Sequence, residues 1–253
     1  MRYLITVFIL IFSLSGFAQE ENKTDAKGKK QGLWKKYHKN GMLRYTGNFK
    51  DDKPIGVFKY YYDTGELQVK MTHIGNNSYS NTYYVTGELK ATGKYENQKK
   101  DSIWSFYDEK GYKMAEEFYL SGKREGTWYV YFPNGKIAEE KEYSNDLENG
   151  KWNRYFINGK PKMTATYVNG VLEGRATYYG RNYKKAVSGV FKKDVREGFW
   201  TFYEADGKTV RKKEQYKNGV RIDANKDDDV IDDREIEYLP ESILSPENFL
   251  SPR

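Results

Sequence analysis

The chain has 253 residues, a formal net charge of +7, no cysteine, 38% hydrophobic residues and 17% aromatic residues, with 24 tyrosines. The aromatic load excludes generic disorder, which is poor in such residues, and the lack of cysteine excludes a disulfide framework, a cysteine nucleophile and a lipidated cysteine. So low a hydrophobic fraction argues against a thick globular core and for a thin sheet with aromatic faces.

The first segment, residues 1–18, reads as a secretory signal peptide. Arg2 supplies the positive start, Tyr3 to Leu14 is an apolar run, and Gly16-Phe17-Ala18 is a small-x-small cleavage site. The run is too short for a comfortable membrane span. The expected location is therefore outside the cytoplasm: periplasm, outer envelope or secreted. Residues 19–31 are charged, lack aromatics and have no period, and so read as a flexible lead-in.

Residues 32–220 hold an internal repeat. Eight units begin at Gly32, Gly56, Ser78, Ser102, Gly126, Gly150, Gly174 and Gly198, with steps of 24 residues except one of 22 between Gly56 and Ser78. The sixth position is always tyrosine: Tyr37, Tyr61, Tyr83, Tyr107, Tyr131, Tyr155, Tyr179 and Tyr203. The third holds every tryptophan of the chain, Trp34, Trp104, Trp128, Trp152 and Trp200, with Phe58 in the second unit. The tenth is glycine in seven units, and the eighteenth is aromatic in six, among them Phe49, Tyr143 and Phe191.

This pattern predicts a hairpin per unit. A β-branched and aromatic run from the second to the seventh position suits a pleated strand. The tenth-position glycine suits a turn that needs positive φ. A second strand ends near the eighteenth position, and a polar turn such as Asn145-Asp146 returns the chain. Alternation puts the third-position tryptophan and the sixth-position tyrosine on opposite faces. The fold class is therefore all-β: an elongated, single-layer antiparallel sheet of tandem hairpins of about 24 residues, sixteen strands and roughly 75 Å long at about 4.8 Å per strand. The short step removes an even number of residues, which preserves the faces, and the loss is expected in the turn near Gly75-Asn76-Asn77. Ser80 and Ala176 at the third position, and Tyr183 in place of a turn glycine, mark the third and seventh units as expected weak or bent points.

Residues 221–253 turn acidic, with ten carboxylates against four basic side chains, and read as a mostly disordered tail. Ile236, Tyr238 and Leu239 are candidates to dock on the last strand and cover its edge. Asp223, Asn225, Asp227 and Asp229 have the spacing of the first oxygen ligands of a calcium loop, but Asp228 stands where the loop needs glycine and Arg234 where it needs glutamate. A solvated acidic linker is the better reading.

The units GLWKKYHKNG, GTWYVYFPNG, GKWNRYFING and GFWTFYEADG resemble the MORN repeat variant of bacterial proteins, whose members often carry an antitoxin-like label. The resemblance covers about residues 32–219. It implies a MORN-like hairpin solenoid acting as a scaffold, a protein-binding surface or a membrane-associated module, and it brings no catalytic residue set.

The residues themselves offer no catalytic set either. Two histidines, His38 and His73, are not clustered, and His73 occupies an eighteenth position as an aromatic substitute. No phosphate loop or nucleophile elbow is present. Glu116-Glu117 and Glu139-Glu140 are neighbours along strands, so they point to opposite faces and read as solvated surface. No cofactor is expected. Basic residues among aromatics could suit nucleic acid, but an export signal and interspersed glutamates argue against it. The expectation is an exported, non-enzymatic scaffold that binds a protein or cell-envelope component. Alternatives are a glycan- or peptidoglycan-binding module, a surface for anionic lipid, and an antitoxin or immunity-like protein. Tryptophan exposure separates glycan stacking from a scaffold.

Overall fold

The computed structural model describes residues 21–223. Residues 1–18, which read as a signal peptide, and Ile236, Tyr238 and Leu239 lie outside them. The described chain is all-β, an open antiparallel sheet of successive hairpins. A stub, β1 (Lys23–Thr24), precedes the first hairpin, β2 (Lys30–Tyr37) and β3 (Leu43–Lys50). Three hairpins follow: β4 (Lys53–Tyr61) with β5 (Leu67–Ile74), β6 (Asn77–Tyr83) with β7 (Leu89–Glu96), and β8 (Lys99–Tyr107) with β9 (Lys113–Leu120). In the fifth, the first strand is split into β10 (Lys123–Arg124) and β11 (Gly126–Tyr131), facing β12 (Ile137–Ser144). The sixth is β13 (Leu147–Tyr155) with β14 (Pro161–Val168). The seventh is split again, β15 (Val171–Leu172) and β16 (Gly174–Tyr179), facing β17 (Lys185–Lys192). The eighth is β18 (Val195–Tyr203) with β19 (Val210–Lys217), and a second stub, β20 (Val220–Arg221), closes the series.

Both turns follow from their residues. In the hairpin turn Gly135 has φ 78° and donates to the Phe132 carbonyl at 2.9 Å, while Asn134 Oδ1 accepts from the Lys136 amide at 3.1 Å. Between units the turn has two residues, both with positive φ except at Gly75-Asn76, as at Asn145 (49°) and Asp146 (73°), the mirror-image turn that matches strand twist. Tyr183 takes φ 65° where other units have glycine. Its ring packs on Phe156 at 5.3 Å and lies under the Lys160 ammonium at 4.5 Å, contacts that offset the cost of that backbone for a side chain.

The first strand of each unit starts earlier than the sequence pattern suggests, ahead of the repeat's first position. A bulge makes this possible. Asn48 faces Ile55, but Thr46 faces Lys59, so Gly47 alone spans Gly56, Val57 and Phe58. The same two-residue shift occurs at the other junctions between units, with one exception. The exception is the short step. β5 and β6 pair from Ile74↔Asn77 to Val69↔Thr82 without a shift. The turn there keeps its two residues, Gly75 and Asn76. The loss expected in that turn falls instead in the strand after it, and it removes the bulge.

The repeat buries itself by matching ring against gap. A Cβ built on Gly47 would lie 2.4 Å from the Phe58 ring, on Gly93 2.2 Å from Trp104, and on Gly189 2.3 Å from Trp200. Each glycine is the sixteenth residue of one unit, and the ring is the third residue of the next. Where that sixteenth residue is Met71, its partner is Ser80; where it is Ala165, the next unit supplies Ala176. Ser80 and Ala176 are therefore not weak points. Both are buried, and Ala176 sits in the main core cluster with Met163, Tyr178, Val187 and Trp200. The eighth unit has one extra turn residue, since Tyr203 faces Val210 where Tyr179 faces Lys185. Tyr216 thereby takes the eighteenth-position role that fixed counting missed.

Within the expected lead-in, Lys23 and Thr24 pair with Gln31 and Lys30. This register is that of Lys94 and Tyr95 on Asp101 and Lys100, so β1 takes the place that the end of a preceding unit takes elsewhere in the sheet. Val220 and Arg221 likewise pair with β19 as the start of a following one.

Candidate functional site

The sheet offers two faces of different chemistry. The first carries the third-position rings. Trp104 and Trp200 are 3% and 0% exposed, and Trp34, Trp128 and Trp152 are half-buried. Each tryptophan has a ring from the eighteenth position beside it: Phe49 at 5.9 Å from Trp34, Tyr95 at 4.9 Å from Trp104, Tyr143 at 4.7 Å from Trp128, Tyr167 at 5.4 Å from Trp152 and Phe191 at 5.0 Å from Trp200. His73 holds this place in the second unit, 5.2 Å from Phe58, with Nδ1 2.8 Å from Ser78 Oγ, and burial lowers its pKa.

A cation covers every one of these tryptophans. Lys30 lies 4.8 Å from Trp34, Lys100 4.7 Å from Trp104, Arg124 5.6 Å from Trp128, Lys141 4.9 Å from Trp152 and Arg196 4.5 Å from Trp200. Such contacts are worth about 0.5–2 kcal/mol each. Four of the five cations stand two residues before the unit's first position, so the legible signal was K/R-x-G/S-x-W, which sequence reasoning passed over. The sixth unit exchanges the charges. Glu148 stands two residues ahead, and the cation is Lys141 on the facing strand, 3.2 Å from Glu148.

The ring nitrogens are satisfied as well. Trp104 Nε1 donates to the Lys94 carbonyl at 3.0 Å, Trp128 to Phe118 at 3.1 Å and Trp200 to Val190 at 3.2 Å, all on the preceding unit beside its bulge. Trp152 donates to Glu139 Oε1 at 2.9 Å. This face is closed by the protein's own groups.

The acidic pairs do split between the faces, but they are not solvated surface. Glu117 is 5% exposed on the tryptophan face and accepts from Tyr119 at 2.8 Å; burial pushes its carboxyl above the usual range and holds the nearby Lys100 ammonium below its own. Glu116, on the other face, takes bonds from Lys113 at 2.6 Å and Tyr131 at 2.7 Å, and the Lys113 contact leads in lowering its pKa. Glu140 accepts from Tyr155 and Asn153, both at 2.7 Å. Burial and the Glu140 bond push the Tyr155 hydroxyl up to about 12.

These bonds place the sixth-position tyrosines on the second face, opposite the tryptophans. The tyrosines reach back over the preceding unit, as Tyr203 does toward Ser188 at 3.2 Å. The middle of this face is a polar row of cross-strand pairs, such as Lys59 opposite Thr46, Tyr129 between Glu116 and Glu140, and Thr177 opposite Thr164. Beside it runs the second position of each unit. In the first four units this is Leu33, Val57, Tyr79 and Ile103; the last three are 43%, 48% and 56% exposed. Thr127, Lys151 and Arg175 follow, and Phe199, 60% exposed, stands apart in the eighth unit, so the consecutive apolar row lies in the N-terminal half, where Lys35, Lys59 and Lys70 flank it.

The hairpin turns form a third row. Asn40 donates to the Asp63 carbonyl at 2.7 Å, Tyr62 to Tyr83 at 2.8 Å, Tyr84 to Tyr107 at 2.8 Å and Asn182 to Ala205 at 2.8 Å, each reaching the next unit. No group of three or more metal-binding side chains is brought together among the described residues. Of the calcium candidates, Asp223 is bonded to Arg221 at 3.0 Å, and Asn225, Asp227 and Asp229 lie outside the described residues.

A family model described as MORN repeat variant matches residues 30–51, 54–74 and 124–145, which are the first, second and fifth hairpins. No curated protein matches the chain in sequence. Among solved structures, a mutant of S. aureus TarM in complex with Fondaparinux, alpha-GlcNAc-glycerol and UDP shares 11% identity over 37% of this chain and 19% of its own, with a TM-score of 0.30. A second structure of TarM shares 12% over 48% of this chain and 20% of its own, with a TM-score of 0.24. The chain spans about a fifth of the length of these structures, and the scores are too low to bear on fold or function.

Proposed function

Starting from a chain that carries MORN repeat variants, we propose that it is an exported, non-enzymatic scaffold that holds a protein of the cell envelope on its tyrosine face. The observation that carries this reading is the asymmetry between faces. The tryptophan face is filled by the protein's own rings and cations, whereas the tyrosine face exposes Val57, Tyr79 and Ile103 in consecutive units beside Lys59 and Lys70. An apolar row bordered by polar side chains is the usual form of a protein contact. The signal-like residues 1–18 support export.

Glycan stacking is less well supported, because sugar rings need an open aromatic face and each tryptophan here already has a cation over it. An anionic lipid surface shares the same lysines and apolar side chains, and the test must separate it from a protein.

A photo-crosslinking residue placed at Val57 or Ile103 in cells should give an adduct with one defined envelope protein, and the same residue at Tyr119 should not. With the crosslinking residue at Tyr79 instead, Val57→Glu with Ile103→Glu should abolish the adduct without changing thermal unfolding. Adducts only with lipid, or equal adducts from both faces, would refute the reading. Fractionation should place the chain in the envelope or medium; a cytoplasmic chain would remove the export half of it.

A further inference from the structure

The two ends of the sheet fit each other in backbone register, and charge sets them apart. Inside each hairpin the fourth position faces the fifteenth and the fifth faces the fourteenth, as Lys35 faces Thr46 and Lys36 faces Tyr45. Across each junction the same positions meet again, with the earlier unit's second strand facing the next unit's first. The pairs are Thr46/Lys59 and Tyr45/Tyr60, then Lys70/Asn81 and Val69/Thr82, then Thr92/Ser105 and Ala91/Phe106. They continue as Glu116/Tyr129 and Ala115/Val130, Glu140/Asn153 and Glu139/Arg154, Thr164/Thr177 and Met163/Tyr178, and Ser188/Thr201 and Val187/Phe202. At these two places no junction opposes two like charges, although Lys50 faces Lys53 beside the first inter-unit turn and Lys59 faces Lys70 within the second hairpin, and Glu139/Arg154 is an ion pair at 3.7 Å.

Lys212 and Lys213 occupy these same places on β19, since they face Phe202 and Thr201 within the last hairpin. Were β2 of a second copy to add to β19 in the register of every internal junction, Lys212 would face its Lys36 and Lys213 its Lys35. The junction absent from the chain is thus the one with two lysine pairs, in which Lys35 is also held by Glu21 and Lys212 by Glu214, 2.9 Å away. The outer side of β19 is met by β20, at Tyr216 and Lys217, by the Ile222 amide at the Gln215 carbonyl, by the Asp223 carboxylate at the Gln215 amide, and by Arg221 at Glu214, 3.5 Å away. The outer side of β2 is met by β1 and by Asn22 up to Lys35.

We propose that like charge at Lys35 and Lys36 against Lys212 and Lys213 keeps a second copy from adding end to end, and so fixes the sheet at the units of one chain. An open sheet whose ends repeat its interior is a template for its own extension. Directly opposed like charges on strands act against that pairing, and a basic edge is a recognised means of preventing it.

The test uses the mature chain and sedimentation velocity at low ionic strength over a hundredfold range of concentration. Wild type should stay monomeric. Lys212→Glu with Lys213→Glu should associate with rising concentration into species longer than a dimer, since the contact is head-to-tail and does not close. Lys35→Glu with Lys36→Glu should do the same independently, which covers the case in which one variant fails to fold. All four substitutions together put like charges back on both ends and should return the chain to a monomer. Two monomeric double variants would overturn the proposal, as would a wild type that already forms end-to-end oligomers, or association that persists in the fourfold variant.

Discussion

Gly189 lies beneath the indole of Trp200, with the place of its missing Cβ 2.3 Å from the ring. The ring is wholly buried on that glycine, and no rotamer change relieves a methyl group there. Gly189→Ala should destabilise the fold by about 1–3 kcal/mol through overpacking. Ala165→Gly, at the same position but where the next unit supplies Ala176 in place of a ring, should cost about 1 kcal/mol or less. Gly93→Met combined with Trp104→Ser copies the Met71/Ser80 pair and should recover part of the loss of either change alone. Urea unfolding of the five variants, counting Gly93→Met and Trp104→Ser alone, checks this.

The cation over each tryptophan should shield it as well as stabilise it. Arg196→Ala should lower stability by about 0.5–2 kcal/mol and raise the acrylamide quenching of Trp200. Arg196→Lys should keep most of the stability, because an ammonium still reaches the ring, but should lose the 2.8 Å bond to Tyr216.

Lys141 and Glu148 form the same arrangement as Glu117 and Arg124 with the charges exchanged. Lys141→Glu puts a carboxylate beside Glu139 and Glu148 and should be the most damaging of the charge changes. Adding Glu148→Arg recreates the fourth–fifth junction around Trp152. The double variant should exceed Lys141→Glu in stability by about 2 kcal/mol, the range of coupling between contacting residues.

His73 sets a pH dependence. Burial depresses its pKa in the fold, so its neutral ring is favoured there over the unfolded chain. Its contribution is present above the unfolded value of about 6.5 and is lost as pH falls through the lower folded value. Stability in urea should therefore decline between pH 7 and pH 5. His73→Phe, which copies Phe49 and Phe191, should flatten that decline; an unchanged slope would place its origin elsewhere.

The short step allows a test of register. Inserting two residues between Asn76 and Ser78 rebuilds the bulged strand of the other units and should leave the sheet folded. Inserting one should place the tryptophan row and tyrosine row on the wrong faces from there onward, with a loss of cooperative unfolding.

Most of the fold was legible because the repeat prints each constraint eight times. Tyr131 and its seven counterparts fixed the period, and alternation along the strand placed Trp128 opposite Tyr131. What escaped was whatever depends on two units at once. The two-residue bulge cannot be seen in one strand, so the starts of the strands were read too late and the short step was assigned to a turn. Ser80 and Ala176 looked like defects because their partners, Met71 and Ala165, lie in the unit before. Glu117 looked solvated because strand alternation gives its direction but not what Lys100 and Trp104 place around it. The Val57–Ile103 row needed exposure as well as position, since the same residue types at other positions are core.

The side-chain bonds between units run both ways. On the turn side, Tyr62 and Tyr84 reach forward to the next unit's carbonyls; on the bulge side, Trp104 and Trp128 reach back to those of the unit before. Excising a whole unit keeps each remaining donor position opposite an equivalent backbone carbonyl. A cut inside a unit strands one of them. Changes of length should therefore be tolerated in whole repeats and not in fractions of one.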